Sequence, residues 1–473
     1  MKYISEPSQP DREDWKFIQE LTEPEPRSFN WSRRAASKTE IDLSGGVRLV
    51  LNFPDNAGLL QTAYDDLKNF LNEGGIALNG NYEIIAEPGE PAADDTFKII
   101  VSETSCRIIA GNTEGVRRGI YHLEDLLLGA DGPFLQIGEI CRTAWVKNRI
   151  SRCFFGPIKR PPQNRDELMD DVDYYPDEYL NRLAHEGVNG LWLTVAFKDL
   201  CKTSVTPEYG VNAGKRLAKL CHTVNKCLRY GIKTYIFCIE PAAWSADNPA
   251  LKLHPELGGA EYDGYFCLCP FSEASQQYLY EAVNGIFKAV PGLGGMINIT
   301  HGERLTTCAS SIPATEDHAI ECPVCSGRKH WEIIYASLSA MEKGMHDAAP
   351  DAQLISWLYM PQPAKLADWV FEIPSHVPDN VTLQFNFESG GTKEQLGKLR
   401  TGGDYWLSYV GPSESFRKIA ERRANSATQL SAKVQVGCSH EAASVPFVPV
   451  PALLYRKYQK MHELGVSSSA GTG

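Results

Sequence analysis

From about residue 148 onward the apolar positions follow two alternating periods. Short runs that are apolar at every residue or every second residue give way to longer stretches whose apolar residues recur three and four apart. The first kind predicts strands at RISRCFF (149–155), VNGLWLTVAF (188–197), IKTYIFCIEP (232–241) and GMINITHGE (295–303). It predicts four more at AQLISWLYM (352–360), VTLQFNFES (381–389), DYWLSYVGP (404–412) and AKVQVGCSHE (432–441). The second kind predicts helices between them, such as PDEYLNRLAHEG, with proline in its first turn and glycine at its end. KLADWVFEI and TKEQLGKLR are predicted to be helical or partly so. Eight strand-then-helix units require a parallel sheet, and their combined length suits a (β/α)8 TIM barrel, an α/β fold. A doubly wound sheet would carry a glycine-rich phosphate loop after its first strand, and CFFGPIKRPP is not one.

Upstream the pattern is mixed. IDLSGGVRLVLNF, FKIIVSE and CRIIAGN predict strands, while LLQTAYDDLKNFLNEGG and TEGVRRGIYHLEDLLLGADG predict helices that stop at glycine. The expected organisation is a Pro- and Glu-rich arm over 1–35, a small α+β domain over 36–145 and the barrel over 146–473. The final SSSAGTG reads as a frayed end or as a barrel cut short.

Composition narrows the partners. Hydrophobic residues make up 43% of the 473 positions and charged ones 22%, an ordinary globular balance. The net charge of −12 disfavours nucleic acid and anionic membranes, which reward a basic face. The opening MKYISEPSQPDREDWKF has no apolar signal core. Thirteen cysteines, an odd number with several inside apolar runs, predict reduced thiols in a cytoplasmic compartment. Oligomeric state is not legible.

In a (β/α)8 barrel, chemistry sits at the C-terminal ends of the strands. Those ends carry Arg152, Glu240, His301 with Glu303 and Arg304, Trp357 with Tyr359, Asn386 with Glu388, and His440 with Glu441. Carboxylates beside aromatic rings suit glycosidic bond cleavage. One carboxyl protonates the leaving oxygen, a second stabilises or attacks the oxocarbenium-like centre, and rings stack on the sugar.

Two stretches carry a resemblance. CRIIAGNTEGVRRGIYHLEDLL resembles the segment that precedes the barrel in glycoside hydrolase family 20, the β-N-acetylhexosaminidases. INITHGE resembles that family's fourth-strand motif, which ends Gly-Gly-Asp-Glu. The resemblance implies a glycosidase that cleaves a terminal β-linked sugar, N-acetylhexosamine by preference, with Glu303 as general acid. It places Arg152, or else Arg149, on sugar hydroxyls, and Glu441 where the family binds hydroxyls from the eighth strand. It also exposes a departure: the family's Asp, which orients the substrate's acetamido group as internal nucleophile, is Gly302 here. With that route in doubt, Glu441, Glu388 and Glu240 are the candidate nucleophiles. Glu441 is preferred because His440 precedes it and ASVPFVPVP stiffens the chain after it. Glu240, His301, Trp357, Tyr359, Asn386, Glu388 and His440 are expected to bind substrate. The alternatives are a non-catalytic carbohydrate-binding barrel and a metal-dependent hydrolase built on His301 and His440.

Cys308, Cys322 and Cys325, the last two as CPVC, have the spacing of a tetrahedral zinc site completed by His318 or His330. Such an ion would be structural and would clip the long 304–329 connection. No cofactor is required for the chemistry.

Overall fold

The computed structural model describes residues 16–32, 34–152, 166–361, 363–423, 428–437 and 448–472. They form two compact units. One comprises the chain up to Lys147 with Asp173–Asn189 and Asn225–Ile232; the other holds the rest.

The first unit is built on a five-stranded sheet in the spatial order Val47–Leu51, Tyr82–Pro88, Ser105–Ala110, Phe97–Val101, Gly138–Arg142. Helices Gln61–Glu73 and Thr113–Gly129 accompany it. The second starts at Asn112, whose side chain accepts the Gly115 N–H at 2.8 Å. Gly115 and Gly119 face the sheet, where a Cβ would overlap the Thr96 carbonyl oxygen and the Ile108 side chain. The last two glycines of GNTEGVRRG are therefore helix-to-sheet spacers.

The second unit contains a closed barrel of eight parallel strands. In chain order they are Asn148–Arg152, Gly190–Thr194, Lys233–Cys238, Gly295–His301, Gln353–Leu358, Val381–Asn386, Leu430–Gln435 and Ser468–Thr472. The expected (β/α)8 fold is present, but its last two strands are not where the pattern put them. Residues 404–412 form turns and irregular chain. The segment expected to be the eighth strand is the seventh. The eighth is the small-residue tail, whose Ser468–Ala470 pair with both the seventh and the first strands. The tail resists sequence reading because it has no β-branched side chains at its paired core positions, yet Ser468, Ser469 and Ala470 are buried. TKEQLGKLR is not helical either. It forms the hairpin Thr392–Gln395/Lys398–Thr401, turned by Leu396 and Gly397 at positive φ.

The interior of the barrel is apolar on one side and polar on the other. Ile150, Trp192, Tyr235, Ile297, Ile299, Ile355 and Trp357 make one buried cluster. The sixth and seventh strands contribute buried Gln384, Asn386, Ser431 and Lys433. At the N-terminal end, Gln353 Oε1 accepts from Asn148 at 2.7 Å and from the Tyr235 hydroxyl at 3.1 Å, closing the floor. Among the described residues no helix is long and apolar enough to cross a membrane.

Candidate functional site

The fourth strand is buried along its whole length and ends at His301. Gly302 follows with φ of 121°, and a Cβ there would overlap the Tyr359 carbonyl oxygen. The Tyr359 N–H donates to the His301 carbonyl at 2.9 Å, so the fourth and fifth strands meet at this point. Glu303 and Arg304 then emerge exposed at the tip.

Beside that tip the fifth and sixth strands carry a hydrogen-bonded chain. The Trp357 indole donates to Asn386 Oδ1 at 2.8 Å, which fixes the amide so that Nδ2 donates to Asp404 Oδ1 at 2.9 Å. The other Asp404 oxygen accepts the Tyr359 hydroxyl at 2.7 Å. Burial pushes the Tyr359 hydroxyl well above its usual range, and its bond to Asp404 and the charges of Asp404 and Glu303 add to this. Glu303 and Asp404 thus act on the same hydroxyl. Tyr405 bonds to it as well; burial, then the Asp404 charge, raise its own pKa. Behind these groups the buried Lys433 ammonium lies 5.3–5.7 Å from the ring centres of Tyr405, Trp192 and Trp357. Arg152 is exposed at the end of the first strand. It alternates with Ile150 of the inward cluster, whereas Arg149 is on the opposite face.

Trp357, Tyr359, Asn386, Glu303 and Arg152 therefore belong to one strand-end region. Other predicted site residues do different work. Glu240 is buried: Oε1 accepts the Phe197 N–H and Oε2 the Ala242 N–H, each at 2.8 Å. Burial pushes its carboxyl up to about 7, against those two bonds. It organises the connections around it, and its burial keeps it from the open strand-end region. Glu388 is an ion-pair partner of Lys457, both buried, and accepts the Gln435 N–H at 3.2 Å. That role fits neither nucleophile nor sugar ligand. His301 is buried with Nε2 3.2 Å from the carbonyls of both Ala309 and Ile312. Two acceptors on one ring nitrogen put the proton there, so this atom supports the following turn instead of binding substrate or metal. His440 and Glu441 lie outside the described residues. They follow the seventh strand, not the eighth, which removes the eighth-strand correspondence for Glu441.

Asp404, Tyr405 and Lys433 were missed by sequence reasoning. Asp404 and Tyr405 stand at the start of a segment read as a strand, which put them at the barrel floor. Lys433 gave the signal of a cation inside an alternating strand.

The fourth thiol beside Cys308, Cys322 and Cys325 is Cys269. His318 is exposed, 3.3 Å from Glu316, and His330 stacks on Trp369 with ring centres 3.9 Å apart. Neither histidine completes the cysteine cluster.

No protein-family model matches the chain, and no curated protein sequence does. Solved structures match it in fold. A glycoside hydrolase family 138 enzyme targeting pectin rhamnogalacturonan II matches with a TM-score of 0.60 at 12% identity, over 90% of this chain and 46% of its own. This chain thus spans about half the length of that enzyme. The β-N-acetylhexosaminidase of Bacteroides fragilis matches at 0.52 and 11% identity, over 92% of this chain and 83% of its own. The Streptomyces plicatus N-acetyl-β-hexosaminidase, in complex with Thio-NAglucal, matches at 0.51 and 13% identity, over 94% and 87%. In fold, the chain is similar to the family 20 and family 138 glycoside hydrolases.

Proposed function

We propose that the chain is a glycoside hydrolase acting on the O-glycosyl bond of a terminal β-linked sugar, with Glu303 as general acid. The observation that carries this reading is the carboxylate of Asp404 holding the Tyr359 hydroxyl at the end of the fifth strand, beside the fourth-strand tip from which Glu303 emerges exposed. Glu303 projects into solvent, where it reaches a leaving-group oxygen. Asp404 is held by Tyr359 and Asn386 and supplies the second carboxylate, facing the developing positive charge or a water. Tyr405 offers ring surface to the sugar, the buried Trp357 backs the site through its bond to Asn386, and Arg152 binds hydroxyls. N-acetylhexosamine is the first sugar to test. Its acetamido group lacks the orienting carboxylate at 302, where the Tyr359 backbone leaves no space for a side chain. The enzyme's own carboxylate therefore takes the second role. Glu441, beyond the seventh strand, is the competitor for that role.

The test is turnover of a panel of aryl β-glycosides by wild type, Glu303→Gln, Asp404→Ala and Glu441→Ala. Glu303→Gln is expected to lower kcat by roughly 10²–10⁴-fold, the range of general acid catalysis. Azide restoring Asp404→Ala but not Glu441→Ala identifies Asp404 as the second carboxylate; the converse identifies Glu441. Sugar binding without turnover in every protein favours a non-catalytic carbohydrate-binding barrel.

A further inference from the structure

The four sulfurs of Cys269, Cys308, Cys322 and Cys325 come from three separate segments. Cys269 follows the strand Tyr265–Leu268, Cys308 opens the 3₁₀ turn Cys308–Ser311, and the other two flank a tight turn. All four are buried and free, with every sulfur within 4.8 Å of the others. The Cys269 and Cys325 sulfurs are 3.7 Å apart, too far for a disulfide. Four sulfurs at about 2.3 Å from a tetrahedral zinc ion have edges of roughly 3.8 Å.

The backbone around them is shaped for thiolates. The Ala260 N–H points at Cys308 Sγ at 3.3 Å. Gly259 lies against the sulfurs: a Cβ there would overlap Cys308 Sγ and come within 3.3 Å of Cys322 Sγ. In CPVC the Cys325 and Ser326 N–H groups donate to the Cys322 carbonyl at 3.1 and 2.9 Å, bringing both thiols to one side.

We propose that Cys269, Cys308, Cys322 and Cys325 hold one zinc ion as a closed structural site. Four protein ligands leave no open position, so the ion does no chemistry of its own. The separations leave no room for an iron–sulfur cluster among the sulfurs. The site clips the 304–329 connection to the strand Tyr265–Leu268. The 3₁₀ turn that begins at Cys308 supplies the carbonyl that, with Ile312, holds His301. The ion thereby steadies the chain that presents Glu303.

The test is metal analysis of the purified full chain and of a Cys322→Ser/Cys325→Ser double variant, with Cys227→Ser as control. We expect one zinc per chain in wild type and control, and at least a tenfold loss in the double variant. Because that variant could fail to fold, wild type is also titrated with a chelator while thiols are counted. Four thiols should become reactive for each zinc released. Cobalt-loaded wild type should show the intense sulfur-to-cobalt absorption of tetrahedral thiolate. A metal-free chain, an iron-loaded chain, or four thiols that react before any metal leaves would overturn the proposal. None of these readouts depends on glycosidase activity, so failure here is separable from failure of the proposed function.

Discussion

Gly302 is a glycine because the Tyr359 carbonyl occupies the space a side chain would need, and because its φ is positive. Restoring an acidic residue there is therefore no route to acetamido participation. Gly302→Asp should destabilise by several kcal/mol, from strain of about 1–3 kcal/mol plus overpacking. It should lower Tm without raising activity on N-acetylhexosaminides. A stable Gly302→Asp protein with enhanced activity would contradict this account. His301 makes a second residue-scale prediction. Burial, with the charge of His330, lowers its pKa to about 4; His330, which faces Asp317, His318 and Lys329, is also lowered to about 4 by burial. Folding therefore favours the neutral rings. Their contribution is full above the usual histidine pKa near 6.5 and is lost as pH falls from there toward 4. For His301 this is on the order of 3 kcal/mol. Tm measured from pH 7.5 to 4.5 should fall most steeply below about pH 6, and His301→Gln should flatten the fall. Identical slopes in the two proteins would count against it. Glu303, Trp357, Tyr359 and Asn386 were legible because each follows a strong apolar run. Asp404 was not, because it stands on a connection and is recruited only by Tyr359 and Asn386.

At the scale of elements, the first six barrel strands could be read because β-branched and aromatic side chains fill their runs. The seventh reads as a strand but counts as the eighth, because 404–412 reads as one too; the eighth could not be read, because the interior opposite the Trp192–Tyr235–Trp357 cluster is polar or small: Gln384, Ser431, Lys433, then Ser468 and Ala470. A strand of two serines, an alanine, a glycine and a terminal threonine has little propensity signature, and closure of the barrel specifies it. The expectation follows that the tail is structural. Ending the chain at Val466 should remove the strand that joins the first to the seventh and abolish cooperative unfolding in a calorimetric scan. A chain ending there that unfolds with unchanged Tm would show that the tail is dispensable. The neighbouring helix Pro451–Glu463 adds a second constraint, since its Lys457 neutralises Glu388 inside the unit. Lys457→Met should cost about 3–5 kcal/mol by leaving that carboxylate buried without its partner. The double change to Met at 457 and Gln at 388 should recover part of the loss in chemical denaturation.

For the whole molecule, the fold is that of glycoside hydrolase barrels, and the chemistry must be argued from its own strand ends. The residues there differ from the expected set. Glu240, Glu388 and His301 turned inward to support connections, while Asp404, Tyr405 and Lys433 came to the site from segments whose sequence gave no strand-end signal. The proposed function rests on Glu303 as proton donor to a leaving oxygen. The most direct measurement is the ratio of kcat/KM between wild type and Glu303→Gln across aryl glycosides of graded leaving-group pKa. A proton donor at 303 predicts a small loss for leaving groups that need no proton and a loss growing toward roughly 10²–10⁴-fold for poor ones. A loss that is uniform across the series, or absent, would contradict it.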